Sequence, residues 1–387
     1  MKEKFHSLFE KVFISPKPFP PGNYQAMTTM DDGTPLRLHL RVEKEGSGIL
    51  ILNASTILHL NPTATEIAYH LIQKTPEAEV VKEIVKRYRV DEAVARQDYL
   101  DFKERLHTML HTPDLDPEKF LDVERVELHT KEISAPLRLD CALTYQLSGG
   151  ASSIYAPTDR VTRNLDTNEW ETILKKAWEV GIPHVVFTGG EPTLRPDLPE
   201  LIQTAEDLGQ VTGLITDGLR LTEKDYLHQL LQAGLDHVLF VISPDDAQSW
   251  EALRDLLSED IFTTVHLTVT EKNHLTAFEI LDKLQKMGIS SLSLSADSPK
   301  AKEYLSSLQQ KAAELGLSQV WDLPVPYSMN NPVQLELEGS ENQKRGAGRT
   351  WLYVEPDGDV LPGQGINKVL GNLLSDPWEG IWLKASK

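Results

Sequence analysis

The chain has 387 residues, of which 58 are Asp or Glu and 39 are Lys or Arg, giving a formal net charge of −19. This length suggests two or three domains, and the negative charge argues against nucleic acid as a partner, because phosphate binding needs a basic surface. No run of about 18 apolar residues is available to span a membrane, and the first residues lack the apolar core of a secretory signal. We therefore expect a cytoplasmic protein without membrane contact.

The cysteine count is the most informative number in the composition. The chain contains one cysteine, Cys141. One thiol cannot form an internal disulfide, and it cannot supply the three or four thiolates that hold an iron–sulfur cluster.

The first region, residues 1–112, has the pattern of strands followed by helices. Residues 36–43, LRLHLRVE, alternate apolar and polar side chains, which predicts a half-buried strand. A second strand, ILIL, follows a turn, and a short third strand is expected at about residues 56–60. Asn61 is a suitable N-cap and Pro62 suits the first helical position, and further helices are expected at about 76–88 and 92–110. Residues 113–135 are typical of a linker.

The second region, residues 136–320, alternates strands with amphipathic helices. Six strand-like runs occur, LRLDCALT, HVVFT, VTGLIT, HVLFVIS, TTVHLTV and SLSLSA. Six such units predict an α/β fold with a parallel sheet covered by helices, either an open doubly wound sheet or a full or partial barrel. In both cases the chemistry is expected at the carboxyl ends of the strands.

The motif TGGEP stands where the second of these strands ends. Gly189 and Gly190 allow a sharp turn and a close approach to a ligand, since neither has a Cβ. Glu191 is placed to accept a hydrogen bond from an ammonium group, and Pro192 stiffens the turn. The alternative is a structural β/α turn with an exposed glutamate.

GGEP after the second of six β/α units resembles the radical S-adenosylmethionine (SAM) enzymes, in which this motif holds the amino group of SAM. Those enzymes carry C-x-x-x-C-x-x-C-Y shortly after LTY. Here the same stretch is LTYQLSGGASSIY, with Leu147, Ala151 and Ile154 at the three cysteine positions. The resemblance implies a partial (β/α)6 barrel, and the three replacements imply that no [4Fe–4S] cluster forms in this loop. We expect Leu147 and Ile154 to fill the space that a cluster would leave.

Other SAM-contact positions are partly kept in the resemblance. Thr216 and Asp217 belong to ITDG, which is similar to the TNG of the family, and Ser243 ends the fourth strand. SAM therefore remains a possible ligand. Asp217 replaces the family's asparagine, and a second carboxylate there would repel the carboxylate of SAM.

The third region, residues 321–387, resembles the SPASM or twitch extension of peptide-modifying members. Its hairpin YVEPDGDVLPG precedes LGN, and Gly363 stands where the family has an auxiliary-cluster cysteine. The resemblance thus implies that the auxiliary clusters are missing too. Trp378 and Trp382 are expected to pack in a core.

The first region resembles the PqqD-like domain, a winged-helix-like α+β module that binds the leader of a precursor peptide as an added strand. LNPTATEIAYHLI is similar to the start of that module's first helix. We expect the peptide groove along residues 50–58 and the helix at 92–110. The alternative is a packing subdomain without a ligand.

These features favour a degenerate radical-SAM-like protein that binds a leader peptide, and with it an active maturase as a possible partner. Three alternatives stay open: a redox-free enzyme that still binds SAM through Glu191, Asp217 and Ser243, a structural scaffold in a maturation complex, and an engineered cluster-free form of an active maturase. No metal site is expected, because His107 and His111, four residues apart on one helix, have no third ligand.

Overall fold

The computed structural model describes residues 17–29, 35–52, 56–112, 133–150, 156–320 and 346–385. The chain forms two compact units, Met1–Val126 and Glu127–Lys387. Most of the expected linker, residues 113–132, lies outside the described residues. The finer domain boundaries at residues 112, 135 and 320 stay predictions. Among the described residues, no helix is both long enough and apolar enough to cross a membrane.

The first unit contains a four-stranded antiparallel sheet in the order β1-β2-β3-β4. Its strands are β1 Gly22–Thr29, β2 Pro35–Val42, β3 Gly48–Leu52 and β4 Thr56–Leu60, and its helices are α1 Pro62–Ile72, α2 Glu77–Tyr88 and α3 Glu92–His111. The predicted cap is confirmed, because the Asn61 side chain accepts a hydrogen bond from the N–H of Ala64 over 2.9 Å. Strand β1 was not predicted.

The prediction that residues 36–43 form a half-buried strand was wrong in one respect, because β2 is buried on both faces. Leu40 and Val42 pack with α1 and α3, as expected. On the opposite face, His39 and Arg41 are only 5% and 2% exposed. The guanidinium of Arg41 is paired with Glu43 at 3.1 Å, and burial, with the nearby Arg41, lowers the pKa of His39 to about 3. A buried ion pair and a neutral imidazole thus occupy positions that the alternation assigned to solvent.

The second unit is built on a ten-stranded sheet in the order β11-β10-β9-β8-β7-β6-β5-β12-β13-β14. Its first seven strands are parallel, and the six predicted ones are all present: β5 Arg138–Thr144, β6 His184–Gly189, β7 Val211–Thr216, β8 His237–Val241, β9 Phe262–Val269, β10 Ser291–Ala296 and the short β11 Ser318–Gln319. The intervening helices are α4 Thr167–Glu179, α5 Leu198–Leu208, α6 Lys224–Gln232, α7 Ala247–Leu256, α8 Ala277–Lys286, α9 Pro299–Lys302 and α10 Leu305–Glu314.

One face of the parallel strands carries the main hydrophobic core. Alternate residues such as Phe187, Leu214 and Val265 form one cluster with buried residues of α4 to α8 and α10. The other face carries a smaller cluster of Val186, Ile215 and Leu239. Helices on one face of a parallel sheet favour the barrel-like arrangement over the doubly wound one. The barrel is partial, because β5 pairs with β12 on its free side and not with β10.

The C-terminal hairpin continues the central sheet. Its strands are β12 Trp351–Val354 and β13 Asp359–Leu361, followed by β14 Gly371–Asn372 and the helix α11 Trp378–Ala385. The hairpin itself was predicted, whereas the parallel pairing of β12 with β5 was not. The rings of Trp378 and Trp382 stack with centroids 5.6 Å apart against the main core, which confirms α11 as a packing helix.

Candidate functional site

The GGEP turn lies against the segment that follows β5. The N–H of Gly190 donates to the carbonyl of Thr144 over 2.8 Å, and the N–H of Glu191 donates to the carbonyl of Gln146 over 2.7 Å. A Cβ on Gly189, whose φ is +128°, would stand 2.1 Å from the Thr144 oxygen, and one on Gly190 would stand 2.2 Å from the Gln146 oxygen. The two glycines are thus required by the close approach of two backbone segments.

Glu191 is buried, with 2% of its surface exposed, and its carboxylate accepts four hydrogen bonds from the chain. Three donors share Oε1: the Thr193 N–H at 3.0 Å, the Thr193 hydroxyl at 2.5 Å and the Thr216 hydroxyl at 2.8 Å. The N–H of Asp217 donates to Oε2 over 2.7 Å. The structure therefore brings together Glu191, Thr216 and Asp217, three of the positions at which the resemblance implies contact with SAM.

Two opposed influences act on the Glu191 carboxyl group. Burial raises its pKa, and so does the negative charge of Asp217, while the hydrogen bonds from Thr193 and Asp217 lower it. The result is a pKa of about 8. With this pKa, Glu191 holds a proton at neutral pH unless a cation lies beside it.

Asp217 follows β7 and is half-buried. It accepts a hydrogen bond from the Ser148 hydroxyl and one from the N–H of Leu219 at 3.0 Å. The next residue, Gly218, has a φ of +75°, and a Cβ there would meet the Phe240 ring at 2.0 Å. Ser148 thereby ties the segment after β5 to the end of β7.

Ser243 is exposed, and its N–H donates to the Ser249 hydroxyl over 3.0 Å. Among the contacts of the described residues, none joins Ser243 to Glu191 or Asp217. Its predicted role in a shared site stays a prediction. Pro192 begins the short 3₁₀ turn that places Thr193 under the Glu191 carboxylate.

The segment with the three cysteine positions, residues 147–154, is called the cluster loop below. Its side chains do not supply the thiolates that hold a [4Fe–4S] cluster. Leu147 is half-buried and supplies only carbon, and Ala151 and Ile154 lie outside the described residues. Cys141 lies on β5 within the main hydrophobic core, fully buried. Burial, with a contribution from Asp140, raises the pKa of its thiol well above the ordinary value, which opposes formation of the thiolate that iron requires. Gly363 is buried and has no side chain that could bind iron. A Cβ at this position would lie 3.2 Å from the Cβ of Ala347.

The ends of the cluster loop are both held by one carboxylate of the C-terminal hairpin. Tyr145 donates to Glu355 Oε1 over 2.9 Å, and Arg160 Nη2 donates to the same oxygen over 2.6 Å while its Nη1 binds Oε2. Sequence reasoning missed this contact because it joins segments about 200 residues apart. Asp357 and Asp359 lie close to Glu355, so the three carboxylates could face a metal ion, but Arg160 already supplies the positive charge.

A cavity of about 380 Å³ is lined by Thr144, Gln146, Asn164, Asp166, Thr167, Leu194, Arg195, Pro196 and Asp197. Its charged groups already have partners: Arg195 binds both carboxylate oxygens of Asp197 at 2.9 and 2.6 Å, and Asp166 accepts a hydrogen bond from the N–H of Glu169 at 2.9 Å. Glu191 and Asp217 are not among its lining residues, so we assign no ligand to it.

Comparison with known proteins agrees with this geometry. Residues 141–243 match the model of the radical SAM superfamily, and residues 48–108 match that of coenzyme PQQ synthesis protein D, PqqD. PqqA peptide cyclase from Bradyrhizobium diazoefficiens is 46% identical over 80 residues, which make up 21% of this chain and 21% of that protein. The aligned segment thus spans about a fifth of that relative.

Two solved structures of SuiB from Streptococcus suis share the fold. SuiB bound to its precursor peptide SuiA matches with a TM-score of 0.58 at 16% identity, over 92% of this chain and 88% of that one. SuiB bound to S-adenosylmethionine matches with a TM-score of 0.56 at 15% identity over the same shares. At these identities the likeness shows the fold alone, and it confirms the predicted partial barrel.

Proposed function

We propose that this chain, which joins a radical SAM superfamily segment to a PqqD segment, binds the leader of a precursor peptide in ribosomal peptide modification and performs no radical chemistry itself. One observation supports this proposal above all: the GGEP turn is intact and contacts the segment after β5, but the cluster loop that begins there contains no cysteine. The scaffold that would position a cofactor is maintained by specific contacts, whereas the ligands for the cluster are absent from the sequence.

The sheet of the first unit supports peptide binding at β4. Within the part of the chain that the structure describes, β4 pairs with β3 on one side and with no strand on the other. A free edge offers backbone donors and acceptors to an added strand. The groove expected along residues 50–58 needs correction, because Leu50 lies on β3, which is paired on both sides. The proposed docking strand is β4 alone.

Apolar side chains flank this edge. Leu58 and Leu60 of β4 and Met109 and Leu110 of α3 are half-buried on one hydrophobic cluster. A peptide strand beside β4 would cover them with its own apolar side chains, and such burial contributes about 25 cal/mol per Å². Backbone pairing would then give affinity, and the leucine and methionine surfaces would give selectivity.

Titration calorimetry with synthetic peptides from the short reading frames that neighbour the gene tests this proposal. The intact chain should bind one such peptide with a dissociation constant in the micromolar range or below. The same peptide with alternate backbone nitrogens methylated should bind at least about tenfold more weakly, because it cannot complete a ladder of hydrogen bonds.

A pair of variants locates the site. Met109→Glu should weaken binding of the unmodified peptide, whereas Leu275→Glu, at a side chain that is 74% exposed in the second unit, should not. Circular dichroism and thermal unfolding of both variants control for folding. Equal binding of the methylated and unmethylated peptides would contradict strand addition, and equal affinity of both variants would contradict the proposed place.

The loss of radical chemistry has its own test. After anaerobic reconstitution with iron and sulfide, the protein should carry no stoichiometric iron and show no absorption band of a [4Fe–4S] cluster. A cluster that is bound at one per chain would overturn this half of the proposal and leave peptide binding untouched. If no cluster binds, chemistry on the bound peptide requires a partner maturase, and that partner is expected among proteins that retain the cluster cysteines.

A further inference from the structure

Glu191 and Asp217 form a carboxylate pair with unused acceptor capacity. Each carboxylate oxygen has about two lone-pair sites. Three donors crowd Glu191 Oε1, whereas among the described residues Glu191 Oε2 accepts one hydrogen bond and Asp217 accepts two. Among the described residues, no lysine, arginine or histidine donates to either group. The nearby Arg220 instead donates to the carbonyl of Thr193 and lies 3.9 Å from the centre of the Tyr226 ring.

A buried hydroxyl lies at the same end of the barrel. Thr188, the penultimate residue of β6, is fully buried, and its Oγ1 forms no hydrogen bond with any residue that the structure describes. Its neighbour Phe187 belongs to the core under the helices, while Val186, on the same side as Thr188, belongs to the interior cluster. Strand alternation therefore directs Thr188 into the barrel. Burial of an unpaired hydroxyl destabilises the folded chain, and a polar group of a ligand would remove that penalty.

Further along the sheet, the interior face of β9 and β10 carries hydroxyl groups around one histidine. His266 of β9 contacts Ser293 at 3.0 Å through Nδ1 and Ser295 at 2.9 Å through Nε2. Thr268 lies 3.3 Å from the same Nε2 and is half-buried near the carboxyl end of β9. Burial lowers the pKa of His266 to about 3, so this face is polar and uncharged. Because all these strands are parallel, their carboxyl ends lie at the edge where Glu191 and Asp217 lie.

We propose that this end of the barrel binds a small organic amine that has no carboxylate, with the ammonium group between Glu191 and Asp217 and neutral polar groups against Thr188 and the face around His266. An ammonium group offers three N–H donors, which matches the acceptor sites that the two carboxylates leave open. The positive charge also removes the repulsion between Glu191 and Asp217.

The Glu191–Asp217 site should disfavour a ligand whose amino group carries a neighbouring carboxylate, as in an α-amino acid. In SAM the carboxylate is one carbon away from the amino group, so an amino group held by Glu191 and Asp217 brings a third negative charge within about 5 Å of one of them. At that distance, like charges near a protein surface repel one another and weaken binding. The same adenosyl amine without its carboxylate avoids this repulsion. The inference is independent of peptide binding by the first unit.

The test compares two probes that differ only in the carboxylate, SAM and decarboxylated SAM, by titration calorimetry with the full chain. Decarboxylated SAM should bind at least about tenfold more tightly than SAM. Binding of SAM with equal or higher affinity would overturn the proposal, and so would failure of both probes to bind protein that is shown to be folded.

Variants separate the two carboxylates. Asp217→Asn should bring the affinities for the two probes within about threefold of each other, because it removes the repulsive charge and keeps the shape. Glu191→Gln should weaken both probes. Asp225→Asn, at an exposed position on α6, is the matched control and should change neither affinity. A probe preference that Asp217→Asn leaves unchanged would contradict the assigned cause.

Discussion

The hydroxyl of Tyr145 donates a hydrogen bond to Glu355 over 2.9 Å, across 210 positions of the chain. Arg160 completes the contact with a two-point ion pair to the same carboxylate, whose side chain is fully buried. Tyr145 precedes the cluster loop and Arg160 follows it. The loop that lacks its cysteines is thus still anchored at both ends to the hairpin of β12 and β13.

The buried carboxylate is expected to contribute strongly to stability. Glu355→Gln removes the nearer counter-charge of the Arg160 guanidinium and leaves it with the carboxylate of Asp359 at 4.0 Å, so the free energy of unfolding should fall by about 2 kcal/mol. The matched control is Glu271→Gln, which removes an exposed ion pair with Lys300 at 2.8 Å and should change the free energy of unfolding far less. Urea denaturation of both variants gives the comparison, and equal losses would show that the Glu355 contact is no stronger than a surface pair.

The sequence predicted much of the second unit because its strands carry strong local signals. Each of the six apolar runs is short, is followed by a helix and became a parallel strand. The N-cap at Asn61 and the GGEP turn were also predictable, because each is formed by residues that are close together in the sequence. Glu191, Thr216 and Asp217 were named together because GGEP and ITDG resemble motifs of one family, and the structure adds the hydrogen bonds that join them.

Features that depend on distant pairing were not predictable. Strand β1, GNYQAMTT, has no regular alternation, and it forms because β2 offers a complete antiparallel partner. The alternation of side chains assigns Arg41 to solvent, whereas the structure buries it beside Glu43. The position of β12 beside β5, and with it the Glu355 contact, is a property of tertiary structure that no local pattern encodes.

The GGEP turn should tolerate no side chain at its second glycine. A Cβ at residue 190 would stand 2.2 Å from the Gln146 carbonyl oxygen, so Gly190→Ala must separate two backbone segments and should destabilise the unit by about 3 kcal/mol or more. Gly380→Ala, where nothing lies within 4 Å on helix α11, is the control and should be neutral or stabilising by about 0.5 kcal/mol. Thermal unfolding distinguishes the two, and similar midpoints would refute the close approach.

The single thiol should be unreactive in the folded protein. Cys141 is fully buried, and burial raises its pKa, so both access and thiolate formation are suppressed. Iodoacetamide at neutral pH should label the native chain at least about a hundredfold more slowly than the chain in guanidinium chloride, where one label per chain is expected. Rapid native labelling, measured by mass spectrometry, would contradict the position of Cys141 in the core.

Protonation of the two histidines at the amino ends of β6 and β8 should weaken the second unit in mild acid. His184 and His237 share a hydrogen bond between their Nε2 atoms at 2.8 Å, and the His237 ring fills the space left by Gly213. Both rings are thus packing elements of the second unit. Burial lowers the pKa of His184, and the charges of His237 and Arg138 lower it further. Burial also lowers the pKa of His237 to about 4; Asp236 raises this pKa and Arg138 lowers it.

A histidine with a lowered pKa in the folded state binds fewer protons there than when it is unfolded. Between the folded pKa of His237, about 4, and the ordinary value near 6.5, stability therefore rises with pH and is lost as the pH falls. From pH 7 to about pH 5, His237 alone should account for a loss of about 2 kcal/mol in the free energy of unfolding. His237→Gln should flatten this dependence when denaturation is measured at several pH values. The exposed His228→Gln should leave it unchanged, and identical slopes for all three proteins would exclude the buried pair as its source.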